Sequence, residues 1–128
     1  MQNCSCKNVS MTHGHEVNLA YLDSGTARVV ADTMQALATP SRVRILSRLA
    51  AGPCSVGELA GDVDMEPSAV SQQLRLLRHL NLVVGDRQGR QIIYALHDDH
   101  VGVLVEQAVS HAEHLRLQAR AAALAGAT

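Results

Sequence analysis

A change of period at Leu82 limits the folds open to this chain more than any other feature. Before it, apolar residues recur at helical spacing in four short segments; after it, Leu82-Val83-Val84 and Gln91-Ile92-Ile93-Tyr94-Ala95 are β-rich. Val29, Val30, Met34 and Leu37 outline a first amphipathic helix ending near Ala38. Thr39 and Pro40 supply an N-cap hydroxyl and a proline at the first helical position, so a second helix starts there, with Val43, Ile45, Leu46 and Leu49 as its buried stripe. Gly52-Pro53 ends it. Ser55-Val56-Gly57-Glu58 has the spacing of a capping box and opens a short third helix through Leu59 and Val63. A tight connection at Asp64 to Glu66 leads to Pro67, where a fourth helix begins with Val70, Leu74, Leu77 and Leu80 on one face. The two β-rich stretches are joined by Gly85-Asp86-Arg87-Gln88-Gly89-Arg90, read as a hairpin connection. From Asp98 on, Val101, Leu104, Val105 and Ala108 mark a long last helix that frays in an alanine-rich tail.

Short helix, tight turn, helix and hairpin, in that order, make a winged helix-turn-helix: a mainly α fold with a β-hairpin. The sequence predicts a flexible N-terminal arm over 1–17, the winged domain with a C-terminal dimerisation helix over 18–118, and a tail over 119–128. With 128 residues, 47% of them hydrophobic, the chain has material for one core. Apolar runs such as Ala121 to Ala125 are far short of a membrane span, which excludes a membrane partner and predicts a cytoplasmic protein. A net charge of -1 argues against coating nucleic acid indiscriminately, and two aromatic residues, Tyr21 and Tyr94, give little platform for stacking unpaired bases. Double-stranded DNA read by one helix remains open. Ser68, Ser71, Gln72 and Arg75 share one side of the fourth helix, with hydroxyl, amide and guanidinium groups suited to base edges and phosphates. Arg87 and Arg90 stand on the hairpin, within reach of a neighbouring groove or backbone. The alternative is that these arginines only solvate a surface and the module docks protein.

Seven histidines in so short a chain need an explanation. Asp98 and His100 begin the last helix, and His111 and His114 follow, three residues apart and so on one helical face. His100 and His111 are separated by about 16 Å of helix at ~1.5 Å per residue, too far for ligands about 2 Å from one ion. The two pairs can cooperate only across a dimer, with Asp98 and His100 of one copy facing His111 and His114 of an antiparallel second copy. Two-fold symmetry then supplies the site twice. Three imidazoles and a carboxylate suit Zn(II), and also Ni(II) or Co(II) if further donors raise the coordination number. Helix histidines can equally be solvated or satisfied by a local partner, which is the reading given to His79 and His97; Glu113 is read as a surface charge.

Gln35-Ala36-Leu37-Ala38-Thr39-Pro40-Ser41-Arg42, Ser68-Ala69-Val70-Ser71-Gln72-Gln73-Leu74-Arg75-Leu76-Leu77-Arg78 and Gly89-Arg90-Gln91-Ile92-Ile93-Tyr94 together resemble the ArsR/SmtB family of metal-responsive repressors, over roughly residues 28–117. The resemblance implies a homodimer that occupies operator DNA without metal and releases it when metal binds in the last helix. Gln73 departs from the family, which often has histidine there. His114 with its flanking residues and Val83-Val84-Gly85-Asp86-Arg87 are similar to the nickel/cobalt sensors of actinobacteria within the family, where an N-terminal amine and histidine complete an octahedral shell. By that resemblance either His13 or His15 folds back onto the site, or translation begins at Met11; an arm with no role is the alternative. Ni(II) or Co(II) is the expected effector, and Zn(II) the alternative.

Competing chemistry is thin. Cys4 and Cys6 could offer two thiolates to a soft ion, but two sulfurs in an arm make a weak motif. The family's thiolate sensors place C-x-C in the third helix, where this chain has Ser55 and Gly57; Cys54 is expected to be half-buried beside Pro53. A metal-dependent hydrolase would need a general base and a cleft, yet H-E-x-x-H is missing and few residues remain to wall a pocket, so neither an enzyme nor an organic substrate is expected. The remaining alternatives are a metal-independent repressor and a winged-helix interaction module.

Overall fold

The computed structural model describes residues 18–126. They divide into two compact units, with the boundary between Thr33 and Met34. In the first, a 3-10 turn at Leu19–Tyr21 is capped by Asn18, whose side chain accepts from the Ala20 amide. Helix α1 spans Ser24–Ala36 and crosses the boundary. Asp23 Oδ1 accepts from the Thr26 amide at 2.7 Å, and that bond holds the Asp23 carboxyl below its usual range. Of the stripe predicted for this helix, Val29, Val30 and Met34 are exposed, and Leu37, just past its end, is partly buried against the core.

The second unit runs α2 (Pro40–Ala50), β1 (Cys54–Ser55), α3 (Val56–Val63), α4 (Pro67–His79), β2 (Val83–Gln88), β3 (Gln91–Leu96) and α5 (Asp99–Gly126). The caps stand where the sequence placed them. Thr39 accepts from the Arg42 amide ahead of Pro40, and Ser55 and Glu58 close both halves of the capping box. Asp64 ends α3 in the left-handed region at φ 57, a conformation that aspartate tolerates better than most residues. Ile45, Leu46, Leu59, Val70, Leu74 and Leu77 are fully buried and join Val83, Tyr94, Val101 and Val105 in one core. Val43 and Leu80, expected in the buried stripes, face outward instead: 37% and 41% exposed. Leu80 stands at the C-cap of α4, where the helical register that aligned it with Leu77 ends.

The hairpin differs most from expectation. β2 runs on through Gln88 and pairs with β3 in antiparallel register, Val83 opposite Leu96 and Gln88 opposite Gln91. The turn is only Gly89-Arg90, and Gly89, at φ +66, provides the positive φ that a two-residue hairpin loop needs at its first position. Gly85 is therefore a strand residue. A Cβ there would come within 3.0 Å of Ile92 Cγ2 and 3.1 Å of Tyr94 Cε1, so glycine lets those side chains cross β2 closely. A third strand went unforeseen: β1 pairs with β3, Cys54 opposite Tyr94 and Ser55 opposite Ile93. It also buries Cys54 more completely than expected, leaving 2% exposed. Among the described residues no helix is long and apolar enough to cross a membrane.

Candidate DNA-reading face and metal centre

With about 100° between successive residues of a helix, Val70, Leu74 and Leu77 fall on one side of α4 and Ser68, Gln72 and Arg75 within roughly 60° of one another on the opposite side. The structure matches this division: the first three are buried, while Ser68, Gln72 and Arg75 are exposed. Ser71 lies at the edge, half-buried. It lines a groove of about 360 Å³ between α4, the start of α3 and the wing, and Arg90 lines the same groove. Arg87 stands within β2 opposite Ile92, while Arg90 occupies the turn itself. Beside them Gln88 donates to Asp86 Oδ2 at 3.2 Å. Among the described residues Arg75, Arg87 and Arg90 enter no ion pair, so their charge is available to a phosphate or a base. Gln73 is not part of this face; it turns sideways to Arg42, whose Nε donates to Gln73 Oε1 at 3.0 Å. Sequence reasoning missed this pair, since nothing local links residues so far apart.

Four of the predicted metal donors, Asp98, His100, His111 and His114, lie on or beside α5, and the helix itself begins at Asp99, one residue after Asp98. Asp98 caps it: Oδ1 accepts from the His100 amide at 3.0 Å and from the Val101 amide at 3.3 Å. His97 Nδ1 lies 3.3 Å from Oδ2, and His100 Nδ1 3.5 Å from Oδ1. Partial burial pushes the Asp98 carboxyl up, but the His97 bond, the Val101 and His100 amides and the neighbouring His100 outweigh it, and the group titrates below its ordinary value of 3.8. His97, expected to be solvated or satisfied, is partly exposed and partnered by Asp98; a histidine adjacent to a capping carboxylate was the signal. His111 and His114 are exposed farther along the same helix, and Arg116 pairs with Glu113 at 3.0 Å. Among the described residues no group of three or more such side chains within one chain is placed to hold a metal ion. His13 and His15, with Cys4 and Cys6, lie outside the described residues. The chemistry of the set fits a borderline divalent ion: imidazole nitrogens and a deprotonated carboxylate, with His100 close to Asp98. A larger recess, about 480 Å³ between α2 and α5, is lined by Val103, Val109 and Glu106 and holds none of these donors.

Residues 39–84 match the sequence profile of the bacterial regulatory proteins of the arsR family. Over 98 residues the chain is 58% identical to the HTH-type transcriptional regulator NmtR of Mycobacterium tuberculosis, covering 77% of this chain and 82% of that protein. It is 36% identical over 108 residues to the transcriptional repressor SmtB homolog of a Synechocystis species, covering 84% of this chain and 82% of the relative. The solution structure of apo-NmtR superposes with a TM-score of 0.65 at 54% identity, over 81% of this chain and 87% of that one.

Proposed function

The chain belongs to the arsR family of bacterial regulatory proteins and is a transcriptional repressor rather than an enzyme; from that premise we propose that its metal-free homodimer holds operator DNA in the cytoplasm and lets go when Ni(II) or Co(II) binds between the two last helices. Ser68, Ser71, Gln72 and Arg75 meet the major groove, and Arg87 and Arg90 the flanking backbone or groove. Asp98 and His100 of one copy, with His111 and His114 of the other, hold the ion; His13 and His15 are the candidates for further donors. The ion, when bound, supplies a cross-link that ties the start of one α5 to the middle of the other.

The observation that carries this reading is the placement of two exposed donor pairs, Asp98 and His100 at the start of α5 and His111 and His114 farther along it, with about 16 Å of helix between His100 and His111, so that a single copy cannot bring them together. A route from that helix to the DNA-reading face is drawn in hydrogen bonds. Asp98 adjoins His97, whose amide donates to the Leu82 carbonyl at 2.9 Å, and the Leu82 amide donates to the Leu77 carbonyl near the end of α4 at 2.9 Å. Drawing Asp98 toward a second helix therefore pulls on the base of the wing and on α4 together. Linkage makes the effect mutual: if metal weakens DNA binding by ~1–3 kcal/mol, DNA weakens metal binding equally.

Complementation tests the shared centre. An Asp98→Ala, His100→Ala chain and a His111→Ala, His114→Ala chain should each bind no Ni(II) tightly, whereas a mixed dimer of the two regains one site of the original two. Failure of the mixture to regain any would overturn the shared site. Weak d–d bands of the Co(II) complex are expected for an octahedral shell; intense ones would turn the reading to Zn(II), which the four-donor set in α5 alone would suit. Equal operator affinity with and without metal, measured by fluorescence anisotropy, would leave a metal-independent repressor.

A further inference from the structure

Gln73 is a polar side chain on the DNA-reading helix that faces neither its exposed side nor its buried one. It is half-buried, and Arg42 Nε donates to its Oε1 at 3.0 Å. A guanidinium has donors only, so the amide oxygen must face it. Arg42 is itself anchored. Its Nη1 donates to the carbonyl of Ala36, the last residue of α1, at 3.0 Å, and its amide donates to Thr39 Oγ1 at 3.3 Å. Gln73 thus meets a group that α2 and the segment before it hold in place.

Apolar packing of Val70, Leu74 and Leu77 fixes the buried side of α4, but being non-directional it supplies no oriented contact on the helix flank. A rotation of about 10° moves side-chain tips at a radius of ~5–6 Å by roughly 1 Å. That exceeds the spread of hydrogen-bond distances, about 2.7–3.2 Å, and would spoil several base contacts at once. A directional bond on the flank of the helix is what holds such a rotation. We propose that Gln73, held by Arg42, is a positioning residue that sets the rotation of α4 so that Ser68, Gln72 and Arg75 engage DNA together, and that it does not itself read a base. The inference rests on the DNA-reading role assigned above to α4.

The test compares the intact chain with its variants on the duplex that the unaltered protein selects from a random pool, and on an unrelated duplex, over a range of salt. Gln73→Leu should lower the ratio of selected to unrelated affinity about 10-fold. The loss should be spread over every contacted base pair when each is changed in turn, with the salt dependence unaltered. Gln73→Glu keeps the acceptor for Arg42 and should retain the ratio. Arg42→Leu should lower it as Gln73→Leu does, and the double variant no further. An unchanged ratio in Gln73→Leu, a loss confined to one base pair, or Glu behaving as Leu would each overturn the positioning role. Arg75→Ala separates the two ideas: if it weakens binding while Gln73→Leu does not, only the positioning fails. If the unaltered protein selects no duplex, both fall.

Discussion

The stretch from α2 through β3 and the distal part of α5 satisfy their apolar residues in opposite ways. In the first, α2, α3, α4 and the sheet enclose Leu46, Leu59, Leu74 and Leu77 completely, and Ser68, Gln72 and Arg75 of α4 face outward. In the second, only Val101 and Val105 of a 28-residue helix are buried, while Val109, Leu115, Leu117 and Leu124 are 41–72% exposed. The helix-turn-helix can thus be finished within one chain, whereas the distal part of α5 leaves its apolar residues uncovered. These exposed apolar residues are spread around the helix: Val109, Leu117 and Leu124 fall within about 80° of one another, and Leu115 lies on the side that carries His111.

That contrast can be broken experimentally, most severely at its closed end. Leu74→Ala removes a fully buried side chain and should cost about 2–5 kcal/mol in denaturant unfolding; a cost below 1 kcal/mol would mean the core under α4 is not closed. Arg75→Ala, at an exposed position of the same helix, should leave unfolding within ~0.5 kcal/mol but weaken operator binding by about 1–3 kcal/mol. Loss of the α3 cap in Ser55→Ala should cost about 1 kcal/mol of stability, read from the same denaturation curves.

The open end should respond differently. Leu115→Ser, at a half-exposed site near His111 and His114, should leave the unfolding of the dissociated chain within ~0.5 kcal/mol. The dimer should dissociate more readily, as sedimentation at decreasing concentration would reveal. If the two are unaffected alike, the distal helix is not the dimer surface. The smallest effect expected is a pH dependence at the junction of the two regions. The folded pKa of Asp98 is depressed, so its stabilisation of the α5 N-terminus is present above the ordinary value of 3.8 and is lost as pH falls through the lower folded value. Asp98→Asn, which retains a capping oxygen, should lack that acid-side loss when helix content is followed by circular dichroism.

Much of this arrangement is legible in the chain because the signals are local. Thr39 and the Ser55 and Glu58 capping box mark helix starts through bonds made within three residues, Pro40 and Pro67 through a fixed φ and no amide donor to satisfy, and each helix starts where its signal stands. The wing shows where locality ends. Gly85 and Gly89 are equally good turn residues by sequence, and only the pairing of β2 with β3 selects Gly89 and leaves Gly85 under Tyr94. β1 is two residues long and exists because Tyr94 and Ile93 lie beside it. The candidate site divides along the same line: the residue types and spacing on α4 and α5 are readable, but the contact of Arg42 with Gln73 appears only once the elements are assembled.

Residue order alone thus determined the succession of helices and hairpin, their starts and the outward face of α4, because caps, prolines and apolar periodicity act over a few residues. The tertiary structure decided strand register, which expected stripe residues found cover, and which polar residue of α4 turns to Arg42. Those outcomes depend on groups distant in sequence competing for the same space and the same hydrogen-bond partners, a competition no local pattern records.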